Sequence, residues 1–171
     1  YSVSTKNMFM DLKERMALVT RNTQEVVSLK ELEDLLKKKK QPSVYLGTAI
    51  TGRPHIGYFV WVLKMADFIK AGFKVKLLLA DMHGALDGTP WNVLEKRYKY
   101  YHAIIPLMFE AVGADLSKLE LVKGSSYQKN SEYSYDILKM STLVSIHDCL
   151  KASSEVVKHG DNPKLAGLIY P

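Results

Sequence analysis

The sequence predicts an α/β fold with a parallel sheet, and three stretches carry that prediction. Val44-Tyr45-Leu46 begins a short apolar segment that reads as a buried strand and runs into a turn rich in glycine and threonine. Phe59, Val62, Leu63, Ala66 and Ile69 then recur on one helical face, closed by Ala71-Gly72. Lys74-Val75-Lys76 leads into the apolar run Leu77-Leu78-Leu79-Ala80 before Asp81, the pattern of a parallel strand covered on both faces. Together these make a βαβ unit, whose crossover is expected to be right-handed.

The remaining elements follow in order. Within residues 1–20, Met8, Phe9, Leu12, Met16 and Val19 have helical spacing, behind a polar start at Ser2, Ser4 and Thr5. Ser28-Leu29-Lys30-Glu31 is a capping box for a second helix with Leu32, Leu35 and Leu36 on one face. That helix ends in Lys37–Lys40, a basic run suited to the helix dipole and solubility or to a nucleic-acid contact. Thr89-Pro90 opens a helix carrying Leu94, Tyr98, Tyr101, Ile105, Met108 and Val112, which stops at Gly113. Leu119–Lys123 reads as a short strand. Ser131 is placed to cap a long helix through about Leu150, and Asn162-Pro163 to start another that ends at Pro171.

The turn after the first strand holds Gly47, Gly52 and Gly57, in neither the dinucleotide fingerprint nor the P-loop spacing. Backbone N–H groups at the start of a helix favour an anion, and glycine lets a ligand approach the chain. His55 at the helix entrance adds a donor for a phosphate oxygen, or else simply caps the helix. Asp81, at the end of a parallel strand, lies where open α/β sheets bind ligands, or serves as a helix N-cap.

Composition narrows the classes. A chain of 171 residues supports one domain with a substantial core. No apolar window is long enough to span a membrane, and no signal-peptide pattern is present. The chain begins on Tyr1 and reads as a piece of something larger. A lone Cys149 excludes an internal disulfide, and neither it nor the five histidines have zinc-ligand spacing. The net charge of +6 and pI near 9.2 favour anionic partners.

Thr51-Gly52-Arg53-Pro54-His55-Ile56-Gly57-Tyr58 resembles the first signature of class I aminoacyl-tRNA synthetases, in the form found in eukaryotic and archaeal tyrosyl-tRNA synthetases. Tyr58 sits where the second histidine of the signature usually stands. The flanks match as well: Tyr45–Ala49, Leu78–His83, Gly124-Ser125-Ser126-Tyr127-Gln128 and Leu168-Ile169-Tyr170-Pro171. The similarity runs from about Thr20 to the end. It implies a Rossmann-like nucleotide-binding fold, incomplete in this chain. A helical segment at residues 1–42 precedes the first part of the catalytic domain at 43–171, with a helical connecting insertion at about 115–160.

By the same resemblance the activity is cytoplasmic tyrosine–tRNA ligation. L-tyrosine and ATP form tyrosyl-adenylate, and the tyrosyl group passes to the terminal ribose of tRNA(Tyr). The substrate carboxylate is the nucleophile, so the protein aligns reactants and stabilises charge on the α-phosphate. His55, Gly57 and Thr51 are the expected catalytic residues, with Gly47, Thr48, Gly52, His55 and Gly57 around ATP and Arg53 near its phosphates. Mg2+ is expected to arrive with ATP. Tyr45, Gly47, Leu78, Ala80, His83, Tyr127, Gln128 and Tyr170 match positions around the amino acid. Tyr45 matches the partner of the substrate phenol; phenylalanine would leave that buried group unpaired, at roughly 1–3 kcal/mol. On residue type alone Tyr45 is an ordinary strand aromatic. The insertion is expected to carry a homodimer contact and part of the acceptor-stem surface, though an ordinary packing surface is equally compatible.

Lys139-Met140-Ser141-Thr142 resembles the start of the second signature of the class, but it lies in a helical pattern and is read as helix interior. The expected acidic partner of the phenol, the second signature and an anticodon-binding domain do not occur before Pro171, so this piece alone is expected to be inactive or nearly so. Two alternatives stand beside this reading: a tryptophanyl-tRNA synthetase, and a synthetase-derived binding module without catalysis.

Overall fold

The computed structural model describes residues 10–156, with side chains through Lys151. The expectations for Ser2, Ser4, Thr5, Met8, Phe9, the helix at Asn162-Pro163, and Tyr170 lie outside the described residues. The elements run α1 (Leu12–Thr20), α2 (Leu29–Lys38), β1 (Ser43–Ala49), α3 (Phe59–Lys70), β2 (Lys74–Ala80), α4 (Asp81–Leu86), α5 (Trp91–Ala111), β3 (Leu119–Lys123), α6 (Ser131–Ser141) and α7 (Ile146–Val156). The three strands form one parallel sheet in the order β1-β2-β3.

The chain divides into two compact units, and all three strands pass from one to the other. Among the described residues the first comprises 10–46, 54–76 and 104–120. Asp11 starts α1 with a full capping box, Asp11 Oδ1 accepting from the Glu14 N–H at 2.7 Å and Glu14 Oε2 from the Asp11 N–H at 3.2 Å. Ser28 Oγ accepts from the Glu31 N–H at 3.3 Å, which is one half of the box predicted for α2. Val19, Leu36, Ala71 and Phe73 are buried together, with Leu12, Met16, Leu32, Leu35 and Phe68 against them. Each such large apolar side chain contributes about 1.5–3 kcal/mol when fully buried. On α3 the buried apolar positions are Val62, Met65 and Ile69, while Leu63 is exposed. Leu63 lies about 100° around the helix from Val62 and so falls at the rim of the face.

Among the described residues the second unit comprises 47–53, 77–103 and 121–156. Ile50, Leu77, Leu79, Leu94 and Tyr101 are fully buried in it. The α5 helix begins at Trp91, with the Pro90 carbonyl accepting from Val93 and Leu94 at 3.0 Å, one residue later than the Thr89 cap predicted. Pro106 lies inside this helix.

Five expectations are corrected. The β1 strand alternates between half-buried and exposed residues instead of being buried, so one of its faces is left uncovered by the described residues. Only one face of β2 is fully covered: Val75, Leu77 and Leu79 are buried, whereas Lys74 and Lys76 are exposed. The long helix expected from Ser131 to Leu150 is two helices. Ser145 starts α7 with its own cap, Ser145 Oγ donating to Asp148 Oδ2 at 2.5 Å and accepting from the Asp148 N–H at 3.2 Å. Thr142 Oγ1 bonds back to the Lys139 carbonyl at 2.7 Å where α6 ends. Lys139-Met140-Ser141-Thr142 is therefore a helix C-terminus, neither helix interior nor a loop motif. Asn130, not Ser131, occupies the N-cap of α6, without a side-chain bond.

Candidate active site

In the second unit, the chain after β3 turns immediately at Gly124-Ser125-Ser126, and Asp81 at the end of β2 holds that turn. Asp81 is 1% exposed. Its Oδ1 accepts from the N–H groups of Ser125 at 2.8 Å and Met82 at 3.0 Å, and its Oδ2 accepts from Ser125 Oγ at 2.5 Å. Asp81 is the first residue of α4 and not its N-cap, which is Ala80. Its carboxylate is fully occupied in joining the ends of two strands. Lys123 Nζ stands 4.0 Å from Asp81 and 2.6 Å from Glu95, and the Glu95 carboxylate raises the Lys123 pKa above the ordinary lysine value.

This anchored turn delivers Gln128 into the interior. Gln128 Nε2 donates to the Tyr133 hydroxyl at 3.3 Å, while its Oε1 is buried with no partner among the described residues. Rotating the amide by 180° would exchange the two atoms and still leave one polar end unmatched. A buried unmatched amide atom costs about 1–3 kcal/mol, which a ligand donor would recover. Gly124 is required here, since a Cβ would fall 2.5 Å from Gln128 Oε1 and 3.0 Å from Asp81 Oδ1. The Tyr127 ring meets Tyr133 edge-on at 5.5 Å. Leu78 and Ala80 on β2 are half-buried, and His83 on α4 lies 3.4 Å from Asp87. Gly47, Thr51 and Gly52 are exposed and Thr48 is half-buried. The second unit thus brings together Asp81, Ser125, Tyr127 and Gln128 outside the carboxyl ends of β2 and β3, where open α/β sheets receive ligands.

In the first unit, His55 is exposed and caps the 3₁₀ turn Ile56–Tyr58 that leads into α3. Its Nδ1 accepts from the Gly57 N–H at 3.1 Å. Neutral His55 therefore carries its proton on Nε2, a donor suited to a phosphate oxygen. A Cβ on residue 57 would come within 2.8 Å of the imidazole, so glycine makes the cap possible. The same bond occupies the Gly57 N–H, and the Tyr58 N–H donates to the His55 carbonyl at 2.8 Å. Two of the N–H groups expected to face an anion are therefore already engaged. His55 packs edge-on against Tyr58, Tyr58 against Trp61, and Trp61 against buried Phe109. The signature's second-histidine position is thus filled by a ring that props the first. Tyr45 is the third of seven residues in β1, and it is 72% exposed.

Residues 37–171 match the family profile described as "tRNA synthetases class I (W and Y)". The chain belongs to that family. Among relatives of this synthetase chain, the cytoplasmic tyrosine–tRNA ligase of Danio rerio is 48% identical over 160 residues, covering 92% of this chain and 30% of that protein. A probable cytoplasmic tyrosine–tRNA ligase of Enterocytozoon bieneusi is 45% identical, covering 93% of this chain and 47% of its own length. The synthetase chain therefore spans less than half of either relative. The crystal structure of tyrosyl-tRNA synthetase from Archaeoglobus fulgidus, complexed with L-tyrosine, superposes with a TM-score of 0.84 at 32% identity, covering 94% of this chain and 49% of that one.

Motif reading missed the Asp81–Ser125 tie and the need for Gly124. The available signals were an aspartate directly ending an apolar strand and a Gly-Ser pair directly ending the next one.

Proposed function

We propose that this chain is the N-terminal part of the catalytic domain of a cytoplasmic tyrosine–tRNA ligase. The enzyme joins L-tyrosine to ATP as tyrosyl-adenylate and passes the tyrosyl group to the terminal ribose of tRNA(Tyr). The observation that carries this reading is the buried, unpaired Oε1 of Gln128, carried at the carboxyl end of the sheet by the turn that Asp81 anchors. The names of the relatives support tyrosine as the amino acid that meets it.

In this reading the His55 Nε2–H donates to the α-phosphate as the tyrosine carboxylate attacks, and charge grows on that phosphate. Thr51, Gly52 and Gly57 line the approach of ATP, together with Gly47 and Thr48, and Arg53 faces its phosphates. Mg2+ travels with ATP as part of that substrate. Gln128, Tyr127, Leu78, Ala80, His83 and Tyr170 surround the amino acid, and Tyr45 meets its phenol. The enzyme works as a homodimer through the connecting insertion, which is supported by the exposed Leu138, Leu143 and Ile146 around the α6–α7 turn.

The test is pyrophosphate exchange by the full-length protein that carries this sequence. Tyrosine-dependent exchange is expected, and His55→Ala should lower its kcat by about 10²–10³-fold. Exchange driven by tryptophan would overturn the assignment, because the family includes that specificity. Saturable tyrosine binding without exchange would replace it with a non-catalytic module.

A further inference from the structure

Tyr133 stands on the first turn of α6, five residues beyond Gln128. The backbone between them doubles back on itself. The Gln128 N–H donates to the Gly124 carbonyl at 3.0 Å, and the Asn130 N–H to the Tyr127 carbonyl at 3.0 Å. The start of α6 then returns the Tyr133 ring to the turn, where it is half-buried and edge-on to Tyr127 at 5.5 Å. Phenylalanine would make the same ring contact. The hydroxyl adds something a bare ring lacks: among the described residues it is the sole partner of the Gln128 amide, accepting from Nε2 at 3.3 Å. Gln128 is 9% exposed, so water is a poor substitute for that partner.

We propose that Tyr133 is a positioning residue, whose hydroxyl holds the Gln128 amide with Oε1 turned toward the bound amino acid. The inference rests on the reading that the enzyme binds its amino acid beside Gln128. The terminal torsion of glutamine is broad and roughly two-fold, so packing alone does not choose which end of the amide faces a ligand. A phenol oxygen carries lone pairs as well as a proton, and it can meet either end. The amino acid supplies donors, on its ammonium and its own phenol, and a donor requires Oε1. Nε2 then faces Tyr133, as it does in this structure. The bonds run in one direction, from ligand donor to Oε1 and from Nε2–H to the Tyr133 oxygen, and each polarises the next. Without the hydroxyl, Nε2 is unmatched and the amide spends part of its time turned away from the ligand. That contact is the same before and during the reaction, so its loss appears in KM and leaves kcat in place.

Tyrosine-dependent pyrophosphate exchange by the full-length protein tests this in wild type, Tyr133→Phe, Gln128→Leu and the double variant, with thermal melts alongside. Tyr135→Phe is the control, a second α6 tyrosine that is 60% exposed under Lys139. Tyr133→Phe should raise the KM for tyrosine about tenfold, with kcat and the KM for ATP within about twofold of wild type. In the Gln128→Leu background the same change should alter that KM less than about twofold, because the hydroxyl has no amide left to hold. An unchanged KM in Tyr133→Phe overturns the proposal, as does an equal rise in Tyr135→Phe. A further tenfold loss on top of Gln128→Leu shows a hydroxyl acting independently of the amide and also overturns it. So does a lowered melting temperature with KM intact, which leaves the hydroxyl to stability alone. A wild type that activates tryptophan in place of tyrosine removes the function proposed above, while a Gln128-dependent tenfold rise in the KM for tryptophan still supports the role of Tyr133.

Discussion

The two compact units use their cations in opposite ways. In the first, Arg15 donates to the carbonyls of Ala71 at 2.8 Å, Leu36 at 3.1 Å and Lys40 at 3.3 Å, closing the C-terminal ends of two helices. Lys64 does the same for α1, reaching the carbonyls of Leu18 at 3.3 Å and of Val19 and Arg21 at 2.7 Å. Arg21 in turn forms a bidentate pair with buried Asp67. Among the described residues of the second unit, Arg53, Lys96 and Arg97 keep nearly all their donors, and the Gln128 amide keeps a buried atom unmatched. A cation saturated by carbonyls holds a fold together; one left open is available to a ligand. Composition alone cannot separate the two, since both enter the same net charge.

That contrast breaks if side chains of the first kind affect catalysis, or those of the second kind affect stability. The largest effect is expected at Arg15. Arg15→Ala removes the charged partner of three carbonyls and should lower unfolding stability by about 2–3 kcal/mol in urea titrations. Exchange activity of the folded fraction should be unchanged, and a selective loss of kcat would contradict the structural role. Next is Gln128→Leu, expected to cut kcat/KM for tyrosine about 10–100-fold. Stability should hold or rise by up to about 1 kcal/mol, because a buried unmatched atom disappears. A large loss of stability there would mean that the amide is structural after all.

Asp81→Asn sharpens the comparison at the turn. It keeps one acceptor for the Ser125 and Met82 N–H groups but removes the charge, so kcat/KM for tyrosine should fall about tenfold through Gln128 positioning. The KM for tRNA should not move; a shift confined to tRNA would sink the positioning role. The smallest effect concerns pH. Burial pushes the Lys64 ammonium below the ordinary lysine value, against the opposing pull of Asp67. The folded state then binds that proton less tightly than the unfolded state, so stability rises with pH between the folded and unfolded pKa values. As pH falls through the folded value, that contribution is lost. The difference in stability between wild type and Lys64→Met should therefore grow across this alkaline window; a difference flat in pH would remove the assigned cause.

Much of the architecture was legible residue by residue. The helical faces of α2 and α5, the strand at Leu77–Ala80 and the short β3 all appear where periodicity put them. The break between α6 and α7 was readable too, in Ser145 three residues ahead of Asp148, but the apolar pattern running past it masked the cap. The exposure of β1 was not readable, because a covered and an uncovered strand face carry the same apolar residues and differ only in what packs against them. Around the candidate site, the signature singled out His55. It could not show that the Gly57 N–H is engaged by that histidine, or that Tyr58 supports its ring.

Local chemistry in the chain dictated most of the helices and strands, and which family's signature the Thr51–Tyr58 stretch carries. Those are properties of neighbours a few residues apart, governed by backbone dihedrals and side-chain spacing. Only the folded arrangement decided which polar groups are satisfied. Asp81 finds Ser125 across 44 residues, and Gln128 is left with a buried atom to offer because the same turn carries it inside. Whether a charge or an amide is structural or available depends on partners distant in sequence, which no local pattern encodes.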